Sequence, residues 1–159
     1  MKIKPDIENQ RLTRKIQGLD ESLRIKEIDV VEERPLTLFL NSQEIVTMMT
    51  INDYPNYLAI GYLLNQNMIK KEDELTGVDF DDDTSTIIVR TKRKTNFESK
   101  LKKKTLTSGC AQGTVFGDVM ESFNNIIFDD SYKLKLEWIY QLSKKINSTP
   151  SLYLKAGAI

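Results

Sequence analysis

Glu33-Arg34-Pro35-Leu36-Thr37-Leu38-Phe39-Leu40-Asn41-Ser42-Gln43-Glu44-Ile45-Val46-Thr47-Met48-Met49-Thr50 is the stretch on which the fold turns. Glu33-Arg34-Pro35 punctuates the chain, and Leu36 to Leu40 is a short apolar run rich in strand formers. Asn41-Ser42-Gln43 is a turn-type cluster and Glu44 to Thr50 a second strand candidate, so residues 36 to 50 read as a hairpin. Just upstream, Ile25, Ile28, Val30 and Val31 lie among charges, which gives the order strand, break, strand. The residues before that are polar, with only scattered Ile and Leu, and 1–23 reads as a weakly ordered arm.

Downstream of the hairpin, Asn52 or Asp53 offers an N-cap ahead of Pro55, and Tyr57, Leu58, Ile60, Tyr62, Leu63 and Leu64 predict a largely buried helix reaching about Asn67. The acidic run Asp79 to Asp83 sits between Val78 and the β-rich Thr84 to Arg90 segment, as expected of a hairpin with a solvated tip. Metal binding by Asp81, Asp82 and Asp83 would need a spaced, looped ligand set that the run lacks. Lys92 to Lys104 is basic and reads as a linker or an exposed helix. Thr105 to Thr114 is a small-residue loop, and Val115, Phe116, Val119, Met120, Phe123, Ile126 and Ile127 follow at spacings that allow a helix. Leu134, Leu136, Trp138, Ile139, Leu142 and Ile146 predict another, ending near Asn147. Ser151-Leu152-Tyr153-Leu154 reads as the start of a strand, and Tyr153 to Ile159 closes on an apolar run that looks cut rather than finished.

Composition narrows the chemistry. Basic and acidic residues balance at 23 each, so no global field draws the molecule to nucleic acid or an anionic membrane. No apolar stretch approaches the roughly 20 residues of a spanning helix, and no hydrophobic segment follows the start as in a secretory signal. A single cysteine fits a reducing compartment, which points to the cytoplasm. The absence of histidine removes the commonest general base and metal ligand and every Ser-His-Asp or Cys-His arrangement, and with one cysteine a zinc site of ordinary type is not expected. One thiol, carboxylates, amines and backbone remain.

Taken alone, Cys110 reads more readily as a small buried hydrophobe than as a nucleophile. Gly109 and Gly113 flank it closely, so the backbone can approach a ligand, and a loop leading into a helix turns the helix's positive end toward the thiol. Lys100 and Lys102 to Lys104 lie just upstream, where they would lower the thiol pKa or hold an anion, or simply face solvent. A thiolate without a His partner or second Cys is poorly equipped for proteolysis or for closing a disulfide, but it suits carrying a group between partners.

Four motifs in order resemble a known family. Glu33 to Asn41 is similar to its ERP-x-T-(apolar)-x-(apolar)-N strand and turn, and Gly61-Tyr62-Leu63-Leu64 with Met68-Ile69 to its G-F-L-x-x-E-G-I-I segment. Thr107-Ser108-Gly109-Cys110-Ala111-Gln112-Gly113 resembles its T-x-G-C-x-x-C loop, and Tyr153 to Ile159 its F-x-x-T-G-G-V, which the family continues into a histidine. The family is that of the FdhD/NarQ formate dehydrogenase accessory proteins, resembled here in their amino-terminal and central part from about residue 25 onward. The resemblance implies a sulfurtransferase that takes persulfide sulfur from a cysteine desulfurase onto Cys110. From there sulfur passes to a molybdenum or tungsten bis-guanine-dinucleotide cofactor, activating formate dehydrogenase. It also implies cofactor contacts at Gly109, Gly113 and Gly157, and a homodimer is compatible with it. Gly113 stands where the family has its second loop cysteine, Gln66-Asn67 where it usually has Glu-Gly, and Ala156 and Ala158 where it has Thr and Gly. The alternative implied by Gly113 is a chaperone or docking module for formate dehydrogenase or its cofactor that carries no sulfur.

The expected fold is α+β: a weakly ordered arm over 1–23, a β-rich amino-terminal lobe with one buried helix over 24–104, and the cysteine loop with the start of a second α/β lobe over 105–159. The resemblance implies that this second lobe is related to the cytidine deaminase fold. Deamination itself is rejected, since the chain has neither the His nor the Cys set that a zinc deaminase needs.

Overall fold

A computed structural model describes residues 7–93, 127, 129, 131 and 133–156, together with the backbone of 104–105 and 115–116. The architecture is mixed α+β, with more strand than helix. The chain divides into two compact units, one of Met1–Glu32 with Ile127–Ile159 and one of Glu33–Ile126.

In the second unit, β3 (Arg34–Leu40) and β4 (Gln43–Thr50) form the expected hairpin. Leu36, Leu38 and Leu40 alternate with more exposed neighbours, the period-two pattern of a strand with one buried face. Leu40 pairs with Gln43, leaving Asn41 and Ser42 as the turn. Asn41 has φ 56°, a positive value that asparagine tolerates and that primed hairpin turns need at their first central residue. The register shifts between Leu38 and Phe39, so Ile45 is an extra residue in β4. That bulge lets Ile45 and Val46 be buried in succession.

Helix α1 (Pro55–Asn65) follows, then β5 (Leu75–Asp81) and β6 (Thr86–Thr91), whose hairpin carries the acidic tip. The sheet order is β4-β3-β6-β5, with β3 and β6 parallel at its centre. The Thr37 and Asn41 amides donate to the Ser85 and Val89 carbonyls at 2.9 and 2.8 Å, so alternate amides of β3 point toward β6. Pro35 shares that parity but precedes the first β3–β6 pair, so its missing N–H breaks no bond to β6. The buried leucines of β3, Met48 of β4 and Ile87 and Val89 of β6 form one core with Ala59 and Leu63 of α1 and Met68 and Ile69 beyond it.

Only one face of α1 is buried. Ala59 and Leu63 are fully covered, Leu58, Ile60, Tyr62 and Leu64 partly so, and Tyr57 is exposed. Neither Asn52 nor Asp53 is the cap residue. Tyr54 occupies that place with φ 51° and no side-chain cap bond, because a residue before proline is pushed out of the right-handed helical region. The other end closes as a Schellman motif. The Met68 amide donates to the Leu63 carbonyl at 2.9 Å and the Asn67 amide to that of Leu64 at 3.0 Å, with Met68 and Leu63 buried in the same core. Asn67 takes φ 59°, a conformation usually given to glycine. Asn67→Val is therefore expected to lower stability by about 1–2 kcal/mol in thermal unfolding, since a β-branched residue resists the left-handed region. Asn67→Gly should stay within about 0.5 kcal/mol of the parent, relief of strain being offset by a freer unfolded chain.

The first unit contains β1 (Thr13–Leu19), β2 (Ile25–Val31), α2 (Leu136–Ser148) and α3 (Leu152–Ala156). Strand β1 falls inside the expected arm. Its apolar residues, Ile16 and Leu19, are too few to show alternation, but it pairs along its whole length with β2, placing Ile16 opposite Ile28 and Leu19 opposite Ile25. Lys15 and Glu27 add an ion pair at 2.9 Å. Ser151 to Leu154 is not a strand: the Ser151 hydroxyl accepts from the Leu154 amide at 3.3 Å and the Ser151 carbonyl from the Lys155 amide at 3.1 Å, so serine caps α3. The helix expected from Val115 is also corrected at its start, where β8 (Val115–Phe116) pairs with β7 (Lys104–Thr105). The remainder, 117–126, lies outside the described residues. Helix α2 lies where its periodicity predicts and ends at Ser148.

Candidate functional site

Cys110, Gly109, Gly113 and Gly157 lie outside the described residues. The described chain on either side of the cysteine is the β7–β8 ladder, in which Lys104 pairs with Phe116 and Thr105 with Val115 in antiparallel register. Cys110 is the sequence midpoint between Thr105 and Val115, so this ladder brings together the two ends of the segment that holds it.

The sheet fixes where the chain leaves for that segment. The Asn41 side chain grips the end of β6, accepting from the Thr91 amide at 2.9 Å and donating to its hydroxyl at 3.2 Å. The Thr91 hydroxyl in turn donates to the Arg93 carbonyl at 2.8 Å, and the Lys92 amide donates to the Glu74 carbonyl at 3.1 Å. The first cations of the basic run are thus committed to structure. Lys92 pairs with Glu74 at 3.1 Å, and Arg93 holds both Asp73 oxygens at 2.8 Å.

Asp73 belongs to the turn between α1 and β5. Its carboxylate accepts from the Lys70 amide at 2.8 Å, and that bond first, then Arg93, holds its pKa below the usual 3.8. A lowered carboxylate pKa favours the folded state above the ordinary value, and that contribution is lost as pH falls through the lower folded value. The expected outcome is that Asp73→Asn melts below the parent at about pH 7 and that the gap closes below about pH 4. Thermal unfolding at several pH values checks this, and a gap that persists at low pH would trace the loss to packing instead.

Two features of this unit had no clear sequence signal. Asn52 and Tyr54 both have positive φ, at 56° and 51°, just before α1. Strain of this kind concentrates where function or tight packing demands it. The Asn52 side-chain nitrogen and oxygen are buried with no hydrogen-bond partner among the described residues, as is the Tyr62 hydroxyl. Burial raises the Tyr62 pKa above its usual 10.0, which keeps it a neutral donor and acceptor. Asn-Asp-Tyr-Pro reads as an ordinary helix start, and only the tertiary structure shows that the amide is left over.

The first unit holds a polar cleft of about 370 Å³ lined partly by Arg14, Lys15, Asp29 and Lys155. With Lys15 bonded to Glu27 and Lys155 to Glu8, its mixed charges make a poor anion receptor. Among the described residues no group of three or more His, Cys, Asp or Glu could hold a metal ion, and no helix is long and apolar enough to cross a membrane.

Comparison with known proteins returns a match to the FdhD/NarQ family over residues 31–159. The chain is 27 % identical over 145 residues to the sulfur carrier protein FdhD of Wolinella succinogenes, covering 88 % of this chain and 49 % of that one. It is 24 % identical over 156 residues to the protein of the same name in Bacillus pumilus, covering 98 % and 59 %. The chain thus spans about half the length of the curated relatives it matches. A solved structure described as a formate dehydrogenase accessory protein from Desulfotalea psychrophila aligns with a TM-score of 0.44 at 21 % identity, over 50 % of this chain and 34 % of that one.

Proposed function

The chain belongs to the FdhD/NarQ family, and from that premise we propose that it is a sulfur carrier in the maturation of formate dehydrogenase, acting as a sulfurtransferase through Cys110. The observation that carries this reading is that the chain's one thiol falls within the family match, at the midpoint of the segment whose ends β7 and β8 pair. Relatives named sulfur carrier proteins support the same reading.

The Cys110 thiolate attacks the terminal sulfur of a persulfide on a cysteine desulfurase. A new S–S bond forms on Cys110, the donor's S–S bond breaks, and the donor cysteine leaves as a thiolate. Sulfur moves at constant oxidation state, so no outside oxidant is needed. In the onward transfer an electron pair of the acceptor, the molybdenum or tungsten bis-guanine-dinucleotide cofactor, would take the terminal sulfur as the Cys110 S–S bond breaks and Cys110 leaves as a thiolate, and Gly109, Gly113 and Gly157 are the residues that would contact that acceptor. The cytoplasm is the compartment of this chemistry, since free thiols persist there.

Intact-protein mass spectrometry after incubation with a cysteine desulfurase and cysteine tests the reading. A gain of about one sulfur mass, reversed by a reducing thiol, is expected. No gain by the folded chain would leave the second reading, a module that docks formate dehydrogenase or its cofactor without carrying sulfur. Gly113 in place of a second loop cysteine favours that alternative, since no dithiol relay can form.

A further inference from the structure

We draw no further inference here: the strongest candidate, the apolar face of α2 formed by Trp138, Ile139, Leu142 and Ile146 beside the open cleft at Pro150 and Leu154, carries none, because nothing among the described residues shows what covers it.

Discussion

Cys110→Ser is expected to abolish sulfur loading completely while leaving the fold unchanged. The chain has one cysteine, so a persulfide forms at position 110 or nowhere on this polypeptide. Serine keeps the size and loses the chemistry: its hydroxyl is not ionised near neutral pH, and oxygen in place of sulfur cannot hold a transferable S–S bond. Serine is nearly isosteric with cysteine, so urea unfolding of the variant should superimpose on that of the parent. The check is the mass of parent and variant after identical exposure to a cysteine desulfurase and cysteine. A sulfur gain that survives in the variant would show that loading is not covalent at Cys110. Loss of loading with intact binding to formate dehydrogenase would separate the carrier chemistry from the docking surface.

The second large effect is on stability. Leu38→Ala should cost about 3–5 kcal/mol, the range for emptying a fully buried leucine site that cannot collapse. Leu38 is completely buried in the central strand, paired on one side with Val46 and on the other with Ile87. Ordered strands on both sides limit how far the backbone can close on the cavity. A domain of ordinary stability, about 5–15 kcal/mol, would lose a large fraction of it. Thr47→Ala is the control, because Thr47 lies on the exposed side of the hairpin, where its hydroxyl meets that of Thr37 at 2.9 Å. That change should fall within about 0.5 kcal/mol of the parent. Urea unfolding measures both, and a Leu38→Ala cost below about 1 kcal/mol would mean the core is packed differently.

What the sequence reveals follows from how local each determinant is. The hairpin of β3 and β4, the span of α1, the acidic-tipped hairpin and α2 are legible because apolar period and turn residues coincide there. Strand β1 was hidden because its order comes from pairing with β2, and a strand exposed on both faces has no alternation to read. Ser151 looked like the opening of a strand because a cap and a strand start share residue types, and the hydrogen bond to Leu154 decides between them. At the candidate site Cys110 stands out in the sequence by its uniqueness and lies outside the described residues. The stranded polar atoms of Asn52 and Tyr62 were not legible, since an unsatisfied group exists only by reference to everything packed around it.

The parallel seam between β3 and β6 bears on how the chain acquires its shape in time. Strand β3 meets β4 across a two-residue turn and can pair with it almost at once, but Thr37 finds its parallel neighbour Thr86 only after β4, α1 and β5 have been made. Closing so long a detour is the slow, entropically costly event in sheets of this kind. During synthesis, one side of a leucine-rich strand therefore stands open until β6 emerges from the ribosome and seals it. A pause in translation between β4 and β6 is the moment of greatest exposure to aggregation.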